Sequence, residues 1–184
     1  MADPEQQPPL QIDIHELPSG VPAILAARYP TVTLEMPLGD YGMVDTIGNC
    51  ILVERKAAGD LIASISDGRL KSQLDRLQST DAPFLLVEGE LRNHDGETDF
   101  ATRVNKGRSA HSLLHLYRHS AYDYPYVLTL LVRTLYLTRI RVLWSQDKEG
   151  TAHLIGALYR SSLRWPITID SSITYPEPNP GDDA

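Results

Sequence analysis

The sequence predicts a mixed α/β domain, with a central mixed sheet flanked by helices. Three observations carry this reading. Residues 11–15 and 31–36 alternate apolar and polar side chains, as half-buried strands do. Residues 84–87 are apolar at successive positions, the pattern of a buried strand. The segments between and beyond them carry apolar residues at helical spacing, most strongly at 126–138 and 149–163.

Taken in order, residues 11–15 read as a strand and 21–28 as a helix. The β-rich alternation at 31–36 gives a second strand. Residues 43–47 and 50–54 read as a hairpin turning at Gly48-Asn49. Residues 60–65 and 70–78 are helical in pattern and read as one helix, kinked near Asp67-Gly68. The buried strand 84–87 follows. Residues 91–106 are polar, with Asn93, Asp95 and Gly96 as turn residues, and no element is predicted there. Helices are expected at 109–120 and 126–138, a strand at 140–144 and a helix at 149–163. Residues 1–10 and 173–184 are Pro-rich and expected to be disordered, which leaves 11–172 as the domain.

At 184 residues the chain is long enough for one core and short for two. No apolar run reaches the length of a membrane span. The first ten residues are polar and Pro-rich, unlike a secretory signal. An intracellular protein without a membrane partner is the expectation. The single cysteine, Cys50, excludes an intramolecular disulfide, and its apolar surroundings in sequence predict a buried thiol.

The formal net charge is −7, unevenly spread. Residues 1–91 hold 6 Lys/Arg against 14 Asp/Glu, whereas 92–164 hold 11 against 6. The basic surplus includes Arg103, Lys106, Arg108, Arg118, Arg139 and Arg141, which are suited to meeting phosphates. Most of them taken singly are ordinary solvated surface. His111, His115 and His119 share one face if 109–120 is helical. No carboxylate or thiol nearby completes a zinc site there, so a polar or DNA-facing helix face is expected.

The chemistry concentrates around Val53-Glu54-Arg55-Lys56. If 51–56 is a strand, Glu54 and Lys56 point to one face and Arg55 to the other. Asp40 arrives from a separate turn after Gly39, which lets the backbone bend. Two carboxylates from different segments can hold a divalent cation through oxygen ligands. A lysine beside them steadies an attacking water or a phosphate oxygen. That layout suits a metal-dependent phosphodiesterase.

The run Gly39-Asp40-Tyr41, then Val53-Glu54-Arg55-Lys56, then Asp60-Leu61-Ile62 resembles the XPF-type structure-specific endonucleases. Their signature is a Gly-Asp pair, then Glu-Arg-Lys, three residues and an Asp. Ser66-Asp67-Gly68-Arg69-Leu70 with Gln73, and Phe84 through Gly89, resemble two further segments of that family. Asp13-Ile14-His15-Glu16 resembles a fourth, with His15 where the family usually has Arg. The likeness is specific over about residues 11–90 and weaker to about 160, through Trp144-Ser145 and the segment around Ala152 to Leu158.

The resemblance implies a restriction-endonuclease-like nuclease fold. It also implies hydrolysis of DNA phosphodiesters at branched or flap structures, in repair, recombination or replication, with Mg²⁺ or Mn²⁺ as cofactor. Asp40 and Glu54 would hold the metal, with the backbone carbonyl of Arg55 as third ligand and Glu16 and Asp13 reaching the same cleft. Lys56 would orient the water. Arg55 would pair with a carboxylate such as Asp60, unless Asp60 caps its helix. Arg69 and Gln73 would contact the substrate backbone or brace the site, with Arg103, Lys106 and Arg108 on the DNA path.

Cellular relatives generally carry paired helix-hairpin-helix motifs at the C-terminus, whereas this sequence closes on Tyr175-Pro176-Glu177-Pro178-Asn179-Pro180. A stand-alone module, a homodimer, or a partner protein supplying DNA grip is therefore expected. Two other readings stay open: a catalytically silent DNA-binding scaffold, and a nuclease acting on RNA or on simple DNA ends.

Overall fold

A computed structural model describes residues 7–101 and 118–167 of the chain. Its centre is a six-stranded sheet of β1 (Leu10–Asp13), β2 (Thr31–Leu34), β3 (Tyr41–Val44), β4 (Cys50–Ala57), β5 (Ala82–Glu88) and β9 (Arg141–Ser145). The order across the sheet is β2-β1-β3-β4-β5-β9. β3 is antiparallel to both β1 and β4, while β4, β5 and β9 run parallel. β5 is buried at every position from Ala82 to Glu88, as a central parallel strand covered on both faces must be.

Helices α1 (Val21–Ala26) and α5 (Lys148–Ser162) cover one face. Leu25, Ile155 and Tyr159 pack there against Leu10, Ile12, Tyr41, Val53, Phe84 and Leu86. Helices α2 (Ala58–Ser66), α3 (Arg69–Leu77) and α4 (Tyr124–Leu137) cover the other. Leu61, Leu70, Leu74 and Leu131 meet Leu52, Leu85 and Val87 on that side. Strand alternation therefore puts Arg55 on the α1/α5 face, with Glu54 and Lys56 on the α2–α4 face. The architecture is the mixed α/β one predicted, a mixed sheet between helical layers.

Several local expectations are corrected. The first strand ends at Asp13, and Ile14–Ser19 form a 3-10 turn capped by the Asp13 side chain. Residues ahead of 11 belong to the fold, since Leu10 opens β1 and is buried and the Pro8 carbonyl accepts from the Tyr159 hydroxyl. The helix expected to kink near Asp67-Gly68 is instead two helices. Gly68 adopts a left-handed φ of 73°, which ends one helix and starts the next. Cys50 is exposed, because it opens β4 just beyond the turn, at the rim of the core.

The polar stretch after β5 forms β6 (Glu90–His94) and β7 (Glu97–Ala101), joined through Asp95-Gly96 with both φ angles positive. This is a type I′ hairpin, and an Asp-Gly pair is its strongest local signal. β8 (Arg118–Asp123) completes a second, three-stranded sheet, so residues 118–120 are strand rather than helix end. The remainder of the helix expected at 109–120 lies outside the described residues, as does the tail 173–184.

Candidate active site

The C-terminal end of β4 opens onto a cavity of ≈ 200 Å³ lined by Glu16, Asp40, Arg55, Lys56, Asp60, Ser64 and Arg69. Every one of these seven residues is polar or charged. Asp40 stands in the turn before β3, where Gly39 has a φ of 72°. The turn is pinned on both sides: Asp40 N–H donates to the Val53 carbonyl at 2.8 Å, and the Asp40 carbonyl accepts from Asp13 N–H at 2.9 Å. The Asp40 carboxylate in turn accepts the backbone N–H of Arg55, Oδ2 lying 2.6 Å away. Asp40 is thereby fixed beside β4. Burial first, then the charge of Glu54, pushes its carboxyl up to about 7. The Arg55 N–H opposes this, Glu16 adds to it and Lys56 counters it.

Glu54 and Lys56 share their face as the alternation requires, with Nζ 2.7 Å from Oε1. Both side chains are mostly buried, so this is a charge-assisted contact in a poorly hydrated place. Arg55 points to the opposite face and does not pair with Asp60. Its guanidinium forks onto Glu88, Nε to Oε2 at 2.9 Å and Nη2 to Oε1 at 2.7 Å. Its Nη1 lies 3.4 Å from both Glu16 oxygens. Burial disfavours the guanidinium's charge, but the hydrogen bonds and charge of Glu88 outweigh it and raise the Arg55 pKa. Glu88 is the partner of Arg55 to which sequence reasoning gives no role. The available signal is a carboxylate closing an otherwise apolar buried strand.

The structure separates the other expected site residues. Glu16 lines the cavity, but one of its oxygens accepts the Tyr41 hydroxyl at 2.9 Å and both face Arg55. Burial and Glu16 together raise the Tyr41 pKa, keeping that hydroxyl a donor. Asp13 is not brought to the cavity. Its Oδ1 accepts Met36 N–H at 3.0 Å, and its Oδ2 takes His15 through the backbone N–H and the ring. Capping the 3-10 turn occupies the carboxylate.

Asp60 does line the cavity, from the first turn of α2, whose N-cap is Ala57; it is therefore not the helix cap. Arg69 lines it too, 64% exposed at the side chain and paired with Asp67 at 2.6 Å. Gln73 lies outside the lining, and its buried Oε1 has no hydrogen-bond partner among the described residues. Arg139 turns back to the Asp81 carbonyl, and Arg141 lies over the Phe84 ring. Arg103, Lys106, Arg108, His111 and His115 fall outside the described residues.

Among the described residues, no three His, Cys, Asp or Glu side chains gather as a ready metal cluster. The carboxylates that would hold a cation are Asp40, which lines the cavity, and Glu54, which is close enough to raise the Asp40 pKa but is paired with Lys56 and is not part of the lining. Glu54 raises the Asp40 pKa by like-charge repulsion, which a bound cation would relieve. A hard cation that keeps several of its waters needs only one or two such carboxylates.

Carboxylates and a lysine thus stand together at the C-terminal end of β4, in a mixed sheet between helical layers. The sequence family described as the ERCC4 domain matches residues 12–158, and the chain belongs to it. The DNA repair endonuclease XPF of Cricetulus griseus is 32% identical over 188 residues, covering 95% of this chain and 18% of that protein. The 3'-flap repair endonuclease Xpf of Saccharolobus solfataricus is 28% identical over 145 residues, 78% of this chain and 51% of that one. This chain thus spans about half or less of these relatives' lengths. Among solved structures, XPF from Aeropyrum pernix superposes with a TM-score of 0.62 at 26% identity, covering 85% of this chain and 66% of that one. The same protein in complex with DNA gives 0.61 at 25% identity, with 85% and 65% covered.

Proposed function

We propose that this chain is a DNA endonuclease that needs Mg²⁺ or Mn²⁺ and cuts phosphodiester bonds at branched or flap structures. One observation carries the reading: Asp40, from its own turn, and Glu54 and Lys56, from β4, converge at the open end of the parallel strands beside a polar cavity. Family membership supports it, as does the name of the Saccharolobus solfataricus relative, a 3'-flap repair endonuclease.

In this mechanism Asp40 and Glu54 would hold the cation, which would supply Lewis acidity toward the phosphate and lower the pKa of water. The protein's own groups do the rest. The Arg55 N–H, bonded to Oδ2, fixes the orientation of the Asp40 carboxylate at the cavity wall. Lys56, held against Glu54, orients the attacking water and balances charge at the phosphate. Arg69, at the exposed rim, meets the substrate backbone. Asp60, across the cavity, sets the local charge.

Incubation with labelled flap, fork, four-way and linear DNA, and with RNA, tests the reading, with Mg²⁺, Mn²⁺ or EDTA. Cleavage of branched DNA restored by metal supports it. Persistence in EDTA overturns the mechanism. Binding without cleavage in any metal leaves the silent scaffold, and cutting of RNA or linear ends changes the substrate.

A second element of the proposal is self-association through α4. Its sequence is apolar nearly all round, which predicts burial on nearly all sides. In the fold only Val127, Leu131 and Thr134 are buried, while Val132 is 51% and Tyr136 64% exposed, with Tyr126, Leu128 and Leu135 also open. The helix is not central to the domain. A second copy or a related nuclease subunit covers this face in the proposed assembly and adds DNA grip.

A further inference from the structure

On the sheet face opposite Glu54 and Lys56 runs a line of buried polar groups that the mechanism above leaves unused. Glu88, the last residue of β5, is 2% exposed. Besides the Arg55 fork, its Oε2 accepts the Thr151 hydroxyl at 2.6 Å. Thr151 lies in the first turn of α5 and is fully buried. The Ser145 hydroxyl, at the end of β9, lies 2.6 Å from Thr151 Oγ1. An ionised carboxylate can only accept, and a threonine hydroxyl has a single proton. The Thr151 proton therefore points to Glu88, and Ser145 donates to Thr151. The line runs Ser145 to Thr151 to Glu88, meeting Arg55 from the other side.

Arg55 sits between Glu54 and Lys56 in β4, and its backbone N–H holds Asp40 at 2.6 Å. Whatever fixes Arg55 fixes all three. Its short side-chain bonds all go to Glu88, because those to Glu16 are 3.4 Å long. A buried carboxylate carrying a guanidinium fork needs its remaining lone pairs satisfied to hold one orientation. Thr151 satisfies one of them and ties that carboxylate to α5.

We infer that Thr151 is a positioning residue for the reaction: through Glu88 and Arg55, its hydroxyl sets the β4 segment that carries Glu54 and Lys56 and holds the Asp40 carboxylate. The activity arm of the test rests on the endonuclease reading; the spectroscopic arm does not.

The test compares Thr151→Val, which keeps shape and loses the hydroxyl, with Thr151→Ser, which keeps the hydroxyl. The Arg55 Nε–H signal is followed by ¹H–¹⁵N NMR in the metal-free protein, assigned through Arg55→Lys. Cleavage is followed as kcat and KM on a branched DNA with Mn²⁺. In Thr151→Val the Arg55 signal moves and exchanges faster with water. Its kcat falls by about 10-fold or more while KM changes by less than about two-fold, as when a group that orients a metal ligand from behind is removed. Thr151→Ser recovers most of both. An Arg55 signal in folded Thr151→Val that matches the wild type overturns the inference, as does an equal loss in Thr151→Ser. If Thr151→Val does not fold, Ser145→Ala replaces it and moves the same signal in the same direction, and an unmoved signal refutes the linkage. If the wild type cuts no substrate, the endonuclease reading falls and the Arg55 signal alone decides the positioning.

Discussion

Replacing Asp40 by Asn should stabilise the protein while silencing it. Ionisation of Asp40 is opposed by burial and by the Glu54 charge, which raise its pKa from 3.8 to about 7. Ionising this carboxyl in the fold is thus harder than in the unfolded chain by about 4 kcal/mol. Because the folded pKa is raised, the unfolded chain releases its proton first. Stability of the metal-free protein therefore falls as pH rises from about 4 to about 7 and then levels off. Asn keeps an oxygen to accept the Arg55 N–H, which Asp40 takes at 2.6 Å, and has no charge to set against Glu54. The assay is urea denaturation of both proteins in EDTA at pH 4.5 and pH 8. The variant should gain about 2–4 kcal/mol on the wild type between those two pH values. Added Mg²⁺ at pH 8 should stabilise the wild type and not the variant. A variant less stable than the wild type at pH 8, or an equal difference at both pH values, refutes the electrostatic account of the site.

Three more outcomes are expected. Glu54→Gln should lose cleavage by a factor on the order of hundreds or more while remaining folded, as circular dichroism and a single-turnover assay will show. Light scattering at micromolar concentration should give about twice 20.5 kDa. Val132→Lys, on the open face of α4, should return the mass to the monomer. Charge reversal at Arg103, Lys106 and Arg108 together should weaken DNA binding at all sequences and flatten the slope of log K against log salt by roughly 0.9 for each phosphate no longer neutralised. An unchanged slope moves the DNA path elsewhere on the surface.

The facing of Glu54, Arg55 and Lys56 was legible in the sequence. Glu54 and Lys56 share a face, and Arg55 takes the other, because strand period is a local property of the backbone. The Gly39-Asp40 turn and the buried strand at 84–87, which the fold extends to Ala82–Glu88, were also legible, since turn chemistry and unbroken apolar runs are local too. The Asp95-Gly96 hairpin was equally local but hidden by polar strands, which carry little hydrophobic signal at a small sheet's surface. Separating one predicted helix into α2 and α3 needed the left-handed conformation of Gly68, which composition permits and does not compel.

The partners of these side chains come from the closed fold and not from the sequence. Asp13 has the same side chain as Asp40, yet it caps a turn and takes the Met36 N–H, while Asp40 faces the cavity. Arg55 had Asp60 as its neighbour in sequence and chose Glu88, because the sheet register places Glu88 on the guanidinium's own face. Thr151 is distant from both along the chain, and only the docking of α5 against β5 and β9 brings its hydroxyl to the carboxylate. Periodicity fixes which way a side chain points; which groups meet there depends on contacts between segments far apart in sequence, and those exist only once the core has closed.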